Sequence, residues 1–144
     1  VSTAEQPRIL GLDVGDRRIG VAISDPLGYT AQPLLTLSRT NRRNDLRSLA
    51  RLLRKHAVTQ IVVGNPLYMS GDLSPQAVKA QAFAELLRTE FQLPVHLWDE
   101  RLSTTEAHRH LDASGHAVLG RKAIIDQVAA VLILQSYLDA QSNR

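Results

Sequence analysis

Three apolar stretches of this chain each meet a carboxylate, and that pattern restricts the fold more than any other feature. Ile9, Leu10, Gly11 and Leu12 run into Asp13; Val95 to Trp98 lead through Asp99 to Glu100; Asp126 interrupts the apolar segment from Ile124 to Leu134. Burying an ionised carboxylate alone costs several kcal/mol. A fold that sets three of them at the margins of its core elements must bring them to one another or to a bound cation. A divalent metal is the simplest solution.

At 144 residues the chain suffices for one domain with a substantial core and is short for two. We expect residues 1–7 to form a flexible N-terminus and residues 8–144 a single domain. Hydrophobic residues make up 44% and charged residues 22%, which points to a globular chain rather than a disordered one. No apolar run approaches the roughly 20 residues of a membrane span, and Val1 to Arg8 lacks the pattern of a secretory signal. No membrane contact and a cytoplasmic location are therefore expected. The absence of cysteine excludes thiolate metal sites and thiol nucleophiles, leaving hydroxyls, carboxylates and histidines for chemistry. The formal net charge of +3 is less informative than its distribution. Arg39, Arg42, Arg43, Arg47, Arg51, Arg54 and Lys55 fall in one short segment, which serves equally as a solvated surface or a phosphate-contacting face.

Local patterning gives the order of elements. Residues 8 to 13 read as a buried strand, Gly15 and Asp16 as a turn, and Arg18 to Ser24 as a second strand, making a hairpin. After the turn residues Asp25 to Gly28, Thr30 to Leu37 returns as a third strand that Pro33 pushes to an edge or a bulge. From Asn44 onward, Leu46, Leu49, Ala50, Leu53 and Ala57 recur at helical spacing with arginines opposite. Gln60 to Gly64 is a β-branched strand, and residues 65 to 73 form a loop. Ser74 and Pro75 then start a helix with Val78, Ala82, Leu86 and Leu87 toward the core, ended by Pro94. Val95 to Trp98 is the next strand. A capping box at Ser103 to Glu106 opens a short helix through Leu111, Ala113 to Gly120 forms a loop, and Lys122 to Ala140 is a long apolar helix. Strands first, then alternating helix and strand, predict an α/β domain with a mixed sheet flanked by helices.

Taken singly, each acid has an ordinary reading: Asp13 as turn chemistry, Glu100 or Asp99 as a partner of Arg101, and Asp126 as a partner of Lys122 one helical turn earlier. Strand alternation sends Asp99 and Glu100 to opposite faces, so only one of them can join a given site. His108 and His110, two residues apart, cannot share a helix face, which argues against a helical zinc pair. Exposure is the expectation for His116.

Together the motifs carry a resemblance. The string Ile9 to Asp25, the loop from Gly64 through Gly71, the stretch Pro75 to Ala77, the run Asp99, Glu100, Arg101, Leu102, Ser103, Thr104, and the segment Asp126 to Leu138 resemble the YqgF family. This bacterial group of ribonuclease-H-like nucleases is also described as Holliday junction resolvase-like and as acting on pre-16S ribosomal RNA. The resemblance covers nearly the whole chain after residue 7. It implies a ribonuclease-H-like, five-stranded mixed sheet, its first three strands antiparallel, with helices on both faces. It further implies convergence of Asp13, Glu100 and Asp126 as catalytic residues and as ligands of Mg²⁺ or Mn²⁺. Three carboxylates can hold one or two such ions through oxygen, which in a two-ion site lie about 4 Å apart and support in-line attack by water. Products would carry 5′-phosphate and 3′-hydroxyl ends. Arg17, Arg18, Arg101, Arg121 and Lys122 are the candidate nucleic-acid contacts, although pairing of the first three with Asp16 or Asp99 is an equal alternative. Ser103 and Thr104 would orient Glu100 rather than act on substrate.

The expected function is metal-dependent hydrolysis of RNA phosphodiester bonds in 5′-end processing of pre-16S ribosomal RNA, with precursor RNA and ribosomal particles as partners and a monomer or homodimer as the assembly. Cleavage of branched DNA is the alternative, and a symmetric dimer would favour it. A non-catalytic RNA- or ribosome-binding module using the basic helix is an alternative of another class. An actin-like ATPase or sugar kinase fits poorly, because those enzymes enclose nucleotide between two such domains. Two departures from the family pattern bear on this. Gly64, Asn65, Pro66 stands where relatives often have Gly, Leu, Pro, and only Arg121 and Lys122 stand where a denser basic run is common, implying weaker nucleic-acid contact. Junction resolvases of the related type carry a fourth acid three residues after the helix aspartate, where this chain has Ala129.

Overall fold

The computed structural model describes residues 6–103 and 119–142, with side chains from residue 124 onward in the second segment. β1 (Arg8–Val14), β2 (Arg18–Ser24) and β3 (Ala31–Ser38) are followed by α1 (Arg42–Lys55), β4 (Val58–Asn65), α2 (Pro75–Phe91), β5 (Val95–Asp99), a 3₁₀ turn (Glu100–Leu102) and α3 (Leu119–Ser142). The strands form one sheet in the order β3-β2-β1-β4-β5. β1 to β3 are antiparallel neighbours, and β4 and β5 run parallel to β1. This is the predicted five-stranded mixed sheet.

Each boundary has a local cause. Gly28, at φ 76°, donates its N–H to the Asp25 carbonyl and closes the β2–β3 turn. Pro33 sits on the edge strand at a register shift, where its missing N–H costs the ladder least. Asn41 caps α1 by accepting the Asn44 N–H at 2.9 Å. Ser74 caps α2 by accepting from Ala77, with Pro75 at the first helical position, as such caps should. α2 ends at Gln92, whose φ of 54° is left-handed.

Strand alternation divides the core in two. On one face Leu10, Leu12, Ile19, Val21, Ile23, Ile61 and Val63 pack against α1 and α2. On the other, Ala22 and Val62 pack against Ala130, Ile133, Leu134 and Tyr137 of α3. α2 is turned relative to the expectation. It buries Ala77, Ala80, Phe83, Ala84 and Leu87, whereas Val78 is 52% exposed and Ala82 is also outside. Apolar residues surround this helix, so periodicity alone leaves its orientation open, and its alanine stripe is the surface that fits closely on the sheet. Glu100 opens a 3₁₀ turn rather than an α-helix directly. α3 begins at Leu119 and takes in Gly120, which the sequence reading assigns to a loop. The helix expected through Leu111 lies outside the described residues beyond Ser103, as do His108, His110 and His116. Among the described residues no helix is long and apolar enough to cross a membrane.

Candidate active site

Asp13 is the penultimate residue of β1 and is 4% exposed. Its partner across the hairpin is Gly20, and the parallel register of Leu12 with Val63 brings it abreast of Gly64 on β4. Laterally paired residues share a sheet face, so Gly20, Asp13 and Gly64 form a row across three strands on the α3 side. Both glycines make room for something. A Cβ on Gly20 would overlap the main-chain carbonyl of Asp126, and a Cβ on Gly64 would stand 2.8 Å from Oε2 of Glu100 and 2.5 Å from Cδ1 of Ile133. Gly11, two residues before Asp13, likewise meets the Cβ of Leu134. Missing side chains on three strands thus let α3 lie close to the sheet, with Ala129 and Ala130 buried on it.

Glu100 is 3% exposed. Although it follows β5, its carboxylate reaches over the end of β4. The Ser103 N–H and hydroxyl both donate to its carbonyl at 3.1 Å, fixing the turn that aims it. Asp99 points elsewhere, as alternation requires: it accepts from the Arg101 backbone and guanidinium at 2.7 to 3.1 Å. The Arg101 side chain, hydrogen-bonded to it, holds the Asp99 carboxyl below its ordinary value. Arg101 also donates to the Met69 carbonyl at 3.2 Å, tying the β4–α2 loop to the end of β5.

Asp126 comes from the second turn of α3, over Gly20. Its Oδ2 accepts from Nε of Arg18 at 2.6 Å, with the two side chains 19% and 24% exposed. The expected partner, Lys122, has no described side chain, and neither has Arg121. Arg18 is therefore an ion-pair partner of a candidate catalytic acid. Arg17 is exposed in the β1–β2 turn, while Asp16 takes Lys79 at 2.9 Å rather than either neighbouring arginine; that hydrogen bond lowers the Asp16 pKa.

Asp13 at the end of β1 and the Glu100 carboxylate over the end of the neighbouring β4 thus both lie at the C-terminal edge of the parallel strands, where open α/β sheets hold ligands. Asp126 lies one strand over, engaged by Arg18. Among the described residues no three acidic or histidine side chains gather closely enough to cage an ion in this conformation. The chemistry of the donor set nonetheless fits a hard divalent cation, because every candidate ligand is a carboxylate oxygen, and the glycine at position 64 leaves the cradle that receives one of them. Asp126 could join such a set only by releasing Arg18, which holds it in this conformation. The roles of Gly20 and Gly64, and the reach of Arg18 across to α3, escape a reading along the sequence. The available signal is that glycines on separate strands share one face with a helix carrying adjacent alanines.

The sequence matches the family described as "RuvX: Holliday junction resolvase" over residues 7–140. It is 46% identical over 137 residues, 95% of this chain and 99% of the relative, to a Clostridium tetani protein named "Putative pre-16S rRNA nuclease". A Moorella thermoacetica protein of the same name is 52% identical over 132 residues, 92% of this chain and 94% of the relative. Among solved structures, Thermus thermophilus RuvC in complex with Holliday junction substrate superposes with a TM-score of 0.56 at 14% identity, covering 96% of this chain and 97% of that one. At that identity the likeness speaks for the fold. On the family match and the extent of sequence identity, this chain belongs to the RuvX/YqgF family of ribonuclease-H-like nucleases.

Proposed function

We propose that this nuclease hydrolyses phosphodiester bonds of precursor 16S ribosomal RNA near its 5′ end, with Mg²⁺ or Mn²⁺ held by Asp13, Glu100 and Asp126. The observation that carries the reading is the arrangement of Asp13 and Glu100: two carboxylates almost fully buried at neighbouring strand ends, one of them seated against a glycine. The names of the relatives support the RNA substrate.

When bound, a divalent ion lowers the pKa of coordinated water and neutralises charge that develops on the scissile phosphate. The chain's own residues do the rest. Asp13, on a strand hydrogen-bonded on both sides, supplies a ligand that cannot drift. Glu100 supplies a second, held by the Ser103 contacts to its carbonyl. Asp126 supplies the third from α3, and Arg18, on giving it up, is left beside the site as a cation for a substrate phosphate. Arg101 is committed to Asp99 and to the loop that begins at Pro66; its role is to shape the rim, with phosphate contact secondary. Ala129 lies 1% exposed against the sheet and offers no oxygen, which opposes the junction-resolvase alternative.

The test is cleavage of a labelled precursor ribosomal RNA and a four-way DNA junction in Mg²⁺, Mn²⁺ or EDTA, comparing wild type with Asp13→Asn. Metal-dependent removal of the RNA extension, lost in the variant, supports the proposal. Cutting of the junction alone would replace it with the resolvase reading, and equal RNA binding by both proteins without cleavage would replace it with the binding module.

A further inference from the structure

α1 carries a surface that the active site does not use. Leu49, Leu52 and Leu53 are buried on its inner side, while Arg42, Arg43, Arg47, Arg51, Arg54 and Lys55 are all exposed. At 100° per residue, Arg43, Arg47, Arg51 and Arg54 fall within one stripe that runs about 16 Å along the axis. The only acid on the helix, Asp45, is buried and accepts from Arg39 and from the Thr40 N–H. Among the described residues no carboxylate forms an ion pair with any of these six cations. Like charges four apart on a helix, as at 43 and 47, 47 and 51, and 51 and 55, each cost a few tenths of a kcal/mol. A polyanion is what would offset them.

The position of the stripe is equally specific. β3 ends with Ser38 opposite Arg18, and Arg39 donates to the Gly15 carbonyl at 2.8 Å, so only Arg39, Thr40 and Asn41 separate the end of β3, beside the β1–β2 turn, from the start of α1 at Arg42. A cavity of about 680 Å³, lined by Arg39, Arg42, Lys79 and Phe83 among others, lies between that start and α2. Asp16 of the β1–β2 turn and Arg42 line this same cavity, which places the start of α1 beside that turn. α1 has no aromatic residue, and single-stranded nucleic acid is ordinarily held by aromatic stacking together with charge. A straight, rigid row of guanidinium groups without stacking partners suits the backbone of a double helix, contacted without reading its bases.

We propose that the outer face of α1 is a second RNA-binding surface that grips the phosphate backbone of a duplex segment flanking the cleavage site. This deepens the reading of the protein as an RNA nuclease and rests on it for the identity of the polyanion.

The test measures binding of a labelled 20-base-pair RNA duplex in EDTA from low to moderate salt, for wild type and for the combined variant Arg43→Gln, Arg47→Gln, Arg51→Gln, Arg54→Gln. Each phosphate contact contributes roughly 0.7 to 0.9 to the slope of log affinity against log salt. The variant is expected to flatten the slope by about 3 and to bind about 10- to 100-fold more weakly, while still cutting a short single-stranded RNA at the wild-type rate. Circular dichroism confirms that the helix persists, and replacing the same four residues by lysine should restore most of the slope. Equal slopes and affinities for wild type and the glutamine variant would overturn the proposal. So would equal duplex binding with selective loss of polyglutamate binding, which would assign the face to an acidic protein. If wild type cuts no RNA yet the slopes differ, the nuclease reading fails and this surface stands; if cleavage is normal and the slopes agree, only the surface fails.

Discussion

The two faces of the central sheet are built on opposite plans. Toward α1 and α2, β1 and β2 present large aliphatic side chains, with Leu10, Leu12, Ile19 and Val21 all at 0% exposure. Toward α3, the same strands present Gly11, Asp13, Gly20 and Ala22. Fully burying a large aliphatic side chain contributes about 1.5–3 kcal/mol, so the first face carries most of the stability. The second gives up side chains so that a helix can approach closely enough to deliver Asp126 beside the strand that holds Asp13. The contrast teaches that alternate residues of one strand can serve a large apolar core and the placement of a buried acid, and that glycine is what close approach of the helix requires.

Neighbouring substitutions should separate the two faces most sharply. Asp13→Asn is expected to leave the melting temperature nearly unchanged and to reduce RNA cleavage by well over the ~10²-fold that even an outer partner of a metal site can carry. Leu12→Ala, one residue away on the other face, should cost about 2–5 kcal/mol of stability and leave the rate per folded molecule intact. Chemical denaturation and single-turnover cleavage of both variants check this, and the contrast breaks if their phenotypes are exchanged.

A pair of glycine variants sharpens it further. In Gly20→Ala the new methyl meets main chain of α3, which cannot yield locally, so a loss toward the upper end of the about 1–3 kcal/mol overpacking range is expected. In Gly64→Ala the nearest atoms it meets belong to the Ile133 and Glu100 side chains rather than to main chain. The stability loss should be smaller, while displacement of Glu100 by a fraction of an ångström to an ångström lowers cleavage by up to about 10²-fold. A stability deficit in Gly64→Ala as large as in Gly20→Ala would mean that both positions are purely structural.

Smaller effects come next. Arg18→Gln removes the competitor for Asp126, so divalent-ion affinity measured calorimetrically should rise a few-fold; a fall would mean that Arg18 orients Asp126 instead of competing for it. Away from the site, burial holds the His56 imidazole below its ordinary value of 6.5, with Lys55 and Arg8 adding to the effect. The unfolded chain therefore takes up this proton first, and stability contributed by the neutral ring is present above pH 6.5 and is lost as pH falls through the folded-state value. His56→Gln should flatten that part of the stability profile, by at most about 1.4 kcal/mol per pH unit.

Much of the architecture was legible because the signals were local. The hairpin turns, the Ser74–Pro75 start of α2, the edge position of Pro33 and the amphipathic α1 all follow from short-range chemistry, and each is present in the fold. The orientation of α2 was not legible, because a helix apolar on several sides does not announce which side meets the sheet. The candidate acids could be picked out at strand ends and inside an apolar helix, but their relative placement depends on long-range register. Nothing near Arg18 in sequence indicates that it bonds a residue 108 positions away. Nor does Glu100 reveal locally that its carboxylate crosses from the end of β5 to a glycine on β4.

The central claim is that Asp13, Glu100 and Asp126 act as one cation site at the edge of the sheet. It is tested most directly by titrating Mn²⁺ into metal-free wild type and into Asp13→Asn, Glu100→Gln and Asp126→Asn, reading binding by calorimetry and by the paramagnetic resonance signal. The account predicts saturable binding to wild type and marked weakening in every one of the three variants. Wild-type affinity retained in any of them would remove that residue from the site, and retention in all three would contradict the account.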